Sequence, residues 1–250
     1  MEKKLPRQRH AELTRTRLLR SAFHEFARYG YSGARMEAIA RKARTNKAML
    51  HYYFGSKSEL YQTVLEHAFA FRDLDEFAEE FLKWKLTIPQ QLYVVLEVLT
   101  GLHLERDIPE EKDFYRLMAW ENAEDHSKLR YFTEKFIAPR LALLEEIIRK
   151  GNEQGIFAVK HTWLFVYGLI SRVLFYAMQR ELYRGTYLYN KIYGSVSQET
   201  FLEYFTESVF REVSPPDKPL AVPTLPDAIA NLVKERIQML RRSQFSFLRE

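Results

Sequence analysis

The sequence predicts an all-α protein with a small N-terminal domain of three helices, a larger C-terminal helical bundle and one extra helix at the C-terminus. Apolar residues recur at the 3.6-residue period of a helix along almost the whole chain, and the only candidate for an extended piece is 157–159. Nine glycines in 250 residues disfavour an all-β fold, which needs many tight turns. Five of the nine prolines lie within residues 215–226, which therefore form a predicted linker before the last helix.

The N-terminal domain is predicted from three short helices and their boundary signals. The first helix has an apolar face that ends before Gly30, a residue suited to the left-handed turn after a helix. The second helix repeats the apolar spacing from Met36 to Ala43. Asn46 is the expected N-cap of the third helix, residues 47–54, because its side-chain oxygen can accept a hydrogen bond from the amides of the first turn.

Later helices are placed by caps and prolines. Ser56 and Glu59 form a predicted capping box that opens a fourth helix. Three prolines suit the first turn of a new helix: Pro89, Pro109 and Pro139. In the alternative interpretation, Pro139 kinks a single helix that runs from residue 128 to residue 150.

Two long apolar helices complete the body, at about 162–183 and 198–213. An amphipathic helix that Asp227 can cap follows the linker, and its apolar stripe must dock on its own body or on a partner subunit. Alternatively, its basic residues contact a membrane surface or DNA. The predicted parts are an N-terminal domain, a helical body, a proline-rich linker and an amphipathic helix, over 12–72, 73–213, 214–226 and 227–250.

The net charge of +5 is unevenly distributed along the chain. Residues 1–67 carry 14 Lys and Arg against 6 Asp and Glu, a net charge of +8. The remaining 183 residues carry a net charge of −3. This asymmetry indicates a nucleic-acid-binding module at the N-terminus, attached to a nearly neutral helical body.

The composition also excludes several classes of protein. The absence of cysteine excludes a disulfide framework, a thiolate zinc site and a cysteine nucleophile, and we expect neither a metal nor a cofactor. An enzyme is not expected, because the chain has no G-x-S-x-G elbow, no H-E-x-x-H motif and no glycine-rich nucleotide loop. Residues 1–20 are too charged for a secretory leader, and the most apolar stretch, 163–178, is too short and interrupted for a membrane span. We therefore expect a cytoplasmic protein without a membrane partner.

The second and third helices, joined by a tight turn at Arg44 and Thr45, form a predicted helix-turn-helix. The third helix presents one polar face, with Lys47, Ala48, His51 and Tyr52, opposite Leu50, Tyr53 and Phe54. A helix fits the major groove of DNA, which is about 12 Å wide, and its N-terminal residues then meet the base edges. Taken alone, aromatic residues at helical spacing are more often core than contact, and lone lysines are usually solvated. Their position within the helix-turn-helix favours DNA binding.

Residues 18–60 contain an ordered set of marks, namely Ala22, Phe23, Phe26, Gly30, Ile39, Ala40, Ala43, Tyr52, Tyr53, Phe54, Lys57 and Leu60. This set resembles the N-terminal domain of the TetR family of transcriptional regulators. The sequence departs from the family pattern at Arg35, at His51 and in the turn, where Arg44-Thr45-Asn46 replaces the usual Gly-Val-Ser. Arg44 must therefore tolerate the geometry of the turn. These departures concern the base preference rather than the fold.

The resemblance implies a DNA-binding role for nine residues. Lys47 is the strongest candidate for a base contact, because a lysine in the groove can donate to guanine O6 and N7. The other implied base contacts are Thr45, Asn46, Ala48 and His51. The implied phosphate contacts are Arg35, Tyr52, Tyr53 and Lys57, and the charge of Lys57 adds to the dipole of a helix N-terminus.

The body resembles the family's C-terminal domain more loosely. That resemblance implies a homodimer paired through the helices at 162–183 and 198–213, and a pocket for a small apolar or aromatic effector. The implied interface residues are Phe165, Leu169, Val173, Phe201, Phe205 and Val209. The implied pocket draws on Phe77, Phe81, Trp84, Phe114, Trp120, Tyr131 and Phe175, with His103, His126 and Arg172 as polar anchors. Core packing within one chain explains the same side chains equally well.

The resulting hypothesis is a homodimeric repressor that leaves a palindromic operator when an effector binds its body. Two recognition helices, roughly 34 Å apart or more, then read the two half-sites. The alternative is an all-helical carrier or scaffold for apolar ligands whose basic N-terminus is incidental. The two hypotheses differ in whether DNA binding depends steeply on salt and prefers one operator over random duplex.

Overall fold

The structure, a computed structural model, describes residues 6–69, 72–104, 109–124, 127–244 and 246–248. These ranges are largely helical and contain no strand, which confirms the predicted all-α class. The α-helices are α1 Pro6–Gly33, α2 Met36–Lys42, α3 Lys47–Phe54, α4 Lys57–Phe69, α5 Arg72–Phe81, α6 Ile88–His103, α7 Pro109–Ala123, α8 Ser127–Phe132, α9 Ala138–Glu153, α10 Thr162–Tyr183, α11 Tyr187–Tyr189, α12 Gln198–Val213 and α13 Asp227–Gln244. Two π-helical turns span Thr133–Ile137 and Asn190–Gly194, and a 3₁₀ turn spans Ser246–Leu248.

Helix starts in the body follow local signals. Thr87 and Gln90 form a capping box at the start of α6, a helix predicted from Pro89. Pro139 lies in the first turn of α9, directly after the first π-helical turn. Each alternative for Pro139 is therefore partly right. Pro139 lies in the first turn of a helix, and the helical structure is nevertheless uninterrupted from residue 127 to residue 153. The wider turn precedes the residue that lacks a backbone N–H.

The described residues fall into two compact units. Unit 1 contains residues 6–69, 109–124 and 127–136 together with the described residues after 241, and unit 2 contains 72–104 and 137–241. The first segment of unit 1 ends close to the predicted domain boundary at residue 72. The units differ from the predicted division in placing α7, α8 and the 3₁₀ turn with the N-terminal helices.

In unit 1, α1 is the central helix and packs against α2, α4 and α7. Its apolar face is fully buried, which removes large aliphatic and aromatic side chains from water. The buried side chains of the four N-terminal helices include Leu18, Phe23, Phe26, Ile39, Leu50, Leu60 and Val64. The predicted apolar faces of these helices are therefore the core of the unit.

Gly30 permits a close approach between α1 and α7. Its φ of +67° and ψ of 178° are non-helical, so the regular helix is broken at the residue where it was predicted to end, and a short helical turn follows as far as Gly33. A Cβ atom at Gly30 would lie 2.9 Å from the indole ring of Trp120, so no larger residue fits without movement. Trp120 Nε1 also donates a hydrogen bond to the Ala27 carbonyl at 3.2 Å.

Two polar links hold α7 against α1 and α4. The hydroxyl of Tyr61 donates a short hydrogen bond to the carboxylate of Glu121, and both side chains are buried. His24 Nδ1 lies 2.7 Å from Asp113 Oδ2. Burial and the neighbouring Glu121 carboxylate together raise the pKa of Tyr61 far above its usual range.

The C-terminal 3₁₀ turn packs in unit 1. Leu248 is buried, and its carbonyl accepts a hydrogen bond from Arg20 Nη1 at 3.3 Å. The Phe247 ring lies edge-on to Phe23 with centroids 5.8 Å apart, and 5.4 Å from the ring of His67. The 3₁₀ turn is thus part of the unit that contains the helix-turn-helix.

The amphipathic helix α13 docks on unit 2. Val233 and Leu240 are buried in the core of the unit. Ile237 packs so closely on α6 that a Cβ atom at Gly101 would lie 2.7 Å from its Cγ2. Of the two docking sites considered for the apolar stripe, the structure uses the chain's own body.

The predicted dimer interface is wrong for five of its six residues, which are at most 7% exposed. The five, all in the core of unit 2, are Phe165, Leu169, Val173, Phe205 and Val209. Phe201 is partly buried, with its ring 4.4 Å from that of Tyr176. The predicted stripe of α10 and α12 faces the chain's own core.

Even α10, the longest apolar helix, does not meet the length and hydropathy of a bilayer span, and no other helix in the described ranges does.

Candidate nucleic-acid interface

The turn between α2 and α3 fixes the direction of the predicted recognition helix, which forms over the predicted range. Asn46 is its N-cap, since the side-chain oxygen accepts a hydrogen bond from the Met49 N–H at 2.9 Å. The Thr45 N–H donates to the Ala40 carbonyl at 3.0 Å and closes the turn onto α2. These local bonds hold the leading end of α3.

Arg44 takes the turn in the left-handed region, with φ +53°. Among the described residues it is the one non-glycine residue with positive φ. An L-residue in this conformation places Cβ too close to the following carbonyl oxygen, at a cost of roughly 1–2 kcal/mol. Arg44, which stands where the family usually has glycine, therefore occupies a strained conformation.

Arg44→Gly is therefore expected to raise the free energy of unfolding by about 1 kcal/mol, because glycine adopts positive φ without a Cβ clash. Urea unfolding monitored by circular dichroism measures the change. Arg44→Ala is the matched control, since it removes the same side chain and charge but keeps Cβ. Equal stability of the two variants contradicts the explanation from backbone strain.

The two faces of α3 lie as predicted. Leu50 and Phe54 are buried, while the opposite face is exposed, with Tyr52 at 79%. The exposed residues on this face are Lys47, Ala48, His51 and Tyr52. The ring of half-buried Tyr53 lies edge-on to Tyr52, 5.2 Å between centroids. The helix therefore has an open polar side that a groove could receive.

Lys47 is paired with Glu37, a residue outside the predicted site. Its Nζ lies 2.5 Å from Oε1 of Glu37 on α2, and both side chains are more than half exposed. This hydrogen bond holds the pKa of Glu37 below its ordinary value. Arg35, at the N-cap of α2, is exposed and makes no capping hydrogen bond with its side chain. The pair joins two helices at residues ten apart, a relation that no i, i+4 pattern reveals.

His51 has one ring nitrogen engaged within the protein. Its Nδ1 lies 2.6 Å from the Gly55 carbonyl. Because a carbonyl only accepts, Nδ1 is the donor in this bond, and Nε2 is the atom that remains for an external partner. The bond also holds the imidazole at the C-terminal end of α3, away from the leading end where Asn46 and Lys47 lie.

The start of α4 positions Lys57. The predicted capping box forms: the Ser56 N–H donates to Glu59 Oε2 at 2.7 Å, and the Glu59 N–H donates to Ser56 Oγ at 3.2 Å. The first of these bonds lowers the pKa of Glu59. The Lys57 ammonium lies over the Tyr31 ring, 4.9 Å from its centroid, and 3.3 Å from the Ser32 carbonyl. Its charge is thus held beside a helix N-terminus.

The residues of the predicted effector pocket fall into both units. Phe114, Trp120 and Tyr131 belong to unit 1, and Trp84, His103, Arg172 and Phe175 belong to unit 2. Phe114 packs on Phe69 with ring centroids 5.4 Å apart. Trp84 packs edge-on to Phe77 and Phe81, at 5.7 and 5.9 Å. Phe77, Phe81 and Phe114 are buried, whereas Tyr131 and Phe175 are 46% and 62% exposed.

Of the predicted polar anchors, His126 lies outside the described residues, and the other two have surroundings of their own. Burial lowers the pKa of His103 to about 4. Arg172 forms an exposed ion pair with Glu212 of α12, with Nη2 and Oε2 2.5 Å apart. A cleft of about 620 Å³ does occur in unit 2, at the end of α12 and the proline-rich segment, and its lining residues lie within 207–222. None of the predicted pocket residues lines this cleft.

An exposed apolar face runs along α10. Trp163, Leu164, Tyr167, Phe175 and Leu182 are 53–71% exposed, and Tyr204 of α12 is 71% exposed. Their helical spacing was visible in the sequence, yet it could not be separated from that of the inward stripe. These six residues form the outer face.

The helix α3 has a capped leading end, an exposed polar face and a buried apolar face, and it lies in a basic segment. This combination defines a helix-turn-helix DNA-binding protein. Two family models match the chain: bacterial regulatory proteins of the tetR family over residues 18–64, and the tetracyclin repressor-like C-terminal domain over residues 105–194. The chain belongs to the TetR family of bacterial transcriptional regulators.

Named relatives have the same role. The chain is 29% identical over 169 residues to the HTH-type transcriptional repressor NicS of Pseudomonas putida, a match that covers 65% of this chain and 76% of NicS. It is 47% identical over 58 residues to the repressor SCO4008 of Streptomyces coelicolor, covering 23% of this chain and 30% of that protein. The crystal structure of HlyIIR, a hemolysin II transcriptional regulator, superposes with a TM-score of 0.54 at 25% identity and covers 73% of this chain and 96% of that one. These relatives are regulators rather than enzymes.

Proposed function

We propose that the protein is a homodimeric repressor that binds a palindromic operator and leaves it when a small apolar or aromatic molecule binds unit 2. The observation that carries this proposal is the exposed face of α3, with Lys47 at its capped end. A bacterial regulator of this kind works in the cytoplasm, where the chromosome lies.

In the proposed complex, the leading end of α3 reads bases and its flanks hold phosphates. The proposed base contacts are Lys47, Ala48, Thr45 and Asn46, with His51 acting through Nε2. The proposed phosphate contacts are Arg35, Tyr52, Tyr53 and Lys57. Lys57 suits this role because a phosphate beside it also meets the N-terminal dipole of α4.

The outer face is the proposed dimer interface. Single exposed apolar residues are common on proteins, but several large apolar side chains on one side of a single helix are typical of an interaction surface. Gly168 lies on α10 with nothing within 4 Å of where its Cβ would be, which leaves room for a partner helix to approach. A second copy is the partner that a palindromic operator requires, because each copy supplies one recognition helix.

Effector control follows from a shift between two forms of the dimer. An effector that binds one form more tightly raises its population, and if the two recognition helices of that form no longer match successive grooves, DNA affinity falls. An apolar effector suits a body whose side chains are rich in aromatic residues.

The alternative function, a carrier for apolar ligands, is separated from the repressor by DNA selection. Genomic fragments bound by the purified protein are sequenced, and the best fragment is titrated at several salt concentrations. A repressor is expected to prefer one site over random duplex by about 10³-fold or more, with affinity falling steeply as salt rises. The repressor proposal fails if no fragment is preferred.

Lys47 and Lys57 are expected to differ in the kind of DNA contact that each makes. Lys47→Ala should relax the base preference at one operator position, because the donor to guanine is lost. Lys57→Ala should weaken binding to all duplexes alike and reduce the slope of log affinity against log salt by about 0.9. Titration of single-position operator variants at three salt concentrations measures both effects, and identical behaviour of the two variants would contradict the assignment of Lys47 to base reading.

A further inference from the structure

The ion pair between Lys47 and Glu37 brings a donor and an acceptor together beside the leading end of α3. Nζ of Lys47 and Oε1 of Glu37 are 2.5 Å apart, and the two side chains are 52% and 61% exposed. Exposed ion pairs add little to stability, because water solvates both charges and screens their attraction. The pair is therefore poorly explained as a device that holds α2 against α3.

A carboxylate is an unfavourable group to bring near DNA unless it meets a donor there. Phosphates repel it, and most atoms on the floor of the major groove are acceptors. The exceptions are the exocyclic amino groups, and glutamate accepts a hydrogen bond from the amino group of cytosine, N4. The edge of a G·C pair presents guanine O6 and N7 as acceptors beside cytosine N4 as a donor. This pattern complements a lysine and a glutamate held side by side.

We propose that Glu37 is a second base-reading residue, which accepts a hydrogen bond from cytosine N4 while Lys47 donates to the guanine of the same base pair. The inference rests on the proposed function, since it requires that α3 enters the major groove. It assigns a base-reading role to α2, whereas the contact proposed for Arg35, the N-cap of this helix, is with phosphate. Thymine at the cytosine position would offer Glu37 an acceptor and a methyl group instead of a donor.

The test uses the operator found by DNA selection, with each position replaced in turn by the other three base pairs. The wild-type chain is expected to prefer G·C over A·T by about tenfold at one position. Glu37→Ala should reduce that preference to about twofold while raising the affinity for random duplex, because a negative charge is removed. Glu37→Gln should keep part of the preference, because its amide oxygen still accepts from N4 without the charge.

Two controls separate base reading from general charge effects. Glu66→Ala removes a carboxylate from α4 of the same unit, so its base preferences should equal those of the wild type. Alanine is a good helix former and Glu37 is exposed, so Glu37→Ala is expected to fold. The inference is overturned if Glu37→Ala changes the affinity for every duplex by one common factor, in which case Glu37 is only a repulsive charge and the proposed function stands. A wild-type chain that prefers no duplex overturns the proposed function and this inference together.

Discussion

Replacing Leu164 and Tyr167 of α10 by glutamate is expected to leave the chain folded but monomeric, and to lower its affinity for the full operator by about 10³-fold. The two side chains are 69% and 68% exposed in the single chain, so a charge at these positions costs the folded monomer little. Across a dimer interface, the same carboxylates would be buried without partners, which is strongly unfavourable. The operator affinity falls because the second half-site is no longer bound by a linked subunit.

Sedimentation equilibrium measures the association state, and titration of full and half operators measures the coupling between half-sites. The double variant should bind the half operator as well as the wild-type monomer does. Leu82→Glu is the matched control, because Leu82 is 53% exposed in unit 2 but lies outside the outer face. A Leu164→Glu/Tyr167→Glu chain that still sediments as a dimer shows that the subunits pair elsewhere.

Local structure near the helix-turn-helix could be predicted because its signals act over a few residues. The N-cap of α3 depends on Asn46 and an amide three positions later, and the capping box of α4 depends on Ser56 and Glu59. Both motifs were visible as sequence spacings, and both form. The buried and exposed sides of α3 also followed from spacing, since its two faces differ clearly in polarity.

Relations between distant elements could not be predicted in the same way. In α10 both faces are apolar, so periodicity alone could not tell inward Leu169 from outward Tyr167. The helix α7 falls within the matched C-terminal family model, yet it packs in unit 1 with α1. An amphipathic pattern specifies that a face is buried but not which helix covers it. The pairing of Glu37 with Lys47 could not be predicted for the same reason.

Tyr61→Phe is expected to lower the free energy of unfolding by about 3 kcal/mol, since it deprives the buried carboxylate of Glu121 of a hydrogen-bond donor. Tyr61 is 1% exposed and Glu121 is 5% exposed, so water cannot replace the lost hydroxyl without opening the contact between α4 and α7. Phenylalanine fills nearly the same volume, and loss of packing therefore contributes little. Urea unfolding at neutral pH measures the change.

The double variant Tyr61→Phe/Glu121→Leu tests whether the loss comes from breaking this buried hydrogen bond. Replacing both partners by apolar groups of similar size is expected to recover most of the lost stability, whereas Glu121→Leu alone leaves the Tyr61 hydroxyl without this acceptor. If the double variant is as unstable as the sum of the two single changes, the hydrogen bond does not couple α4 to α7.

The pH dependence of stability gives an independent measure of the same contact. The pKa of Tyr61 is raised in the folded chain, first by burial and then by the Glu121 carboxylate. Above the ordinary tyrosine pKa of about 10, the unfolded chain releases this proton and the folded chain retains it. The contribution of Tyr61 to the free energy of unfolding is therefore complete below pH 10 and decreases as the pH rises further.

Tyr61→Phe should flatten the decline in stability between pH 9.5 and about 11, while Tyr52→Phe, at an exposed position, should leave it unchanged. An unaltered decline in the Tyr61→Phe chain would mean that other tyrosines or lysines cause it, and that the Tyr61 hydroxyl is less buried in solution than its contact with Glu121 requires.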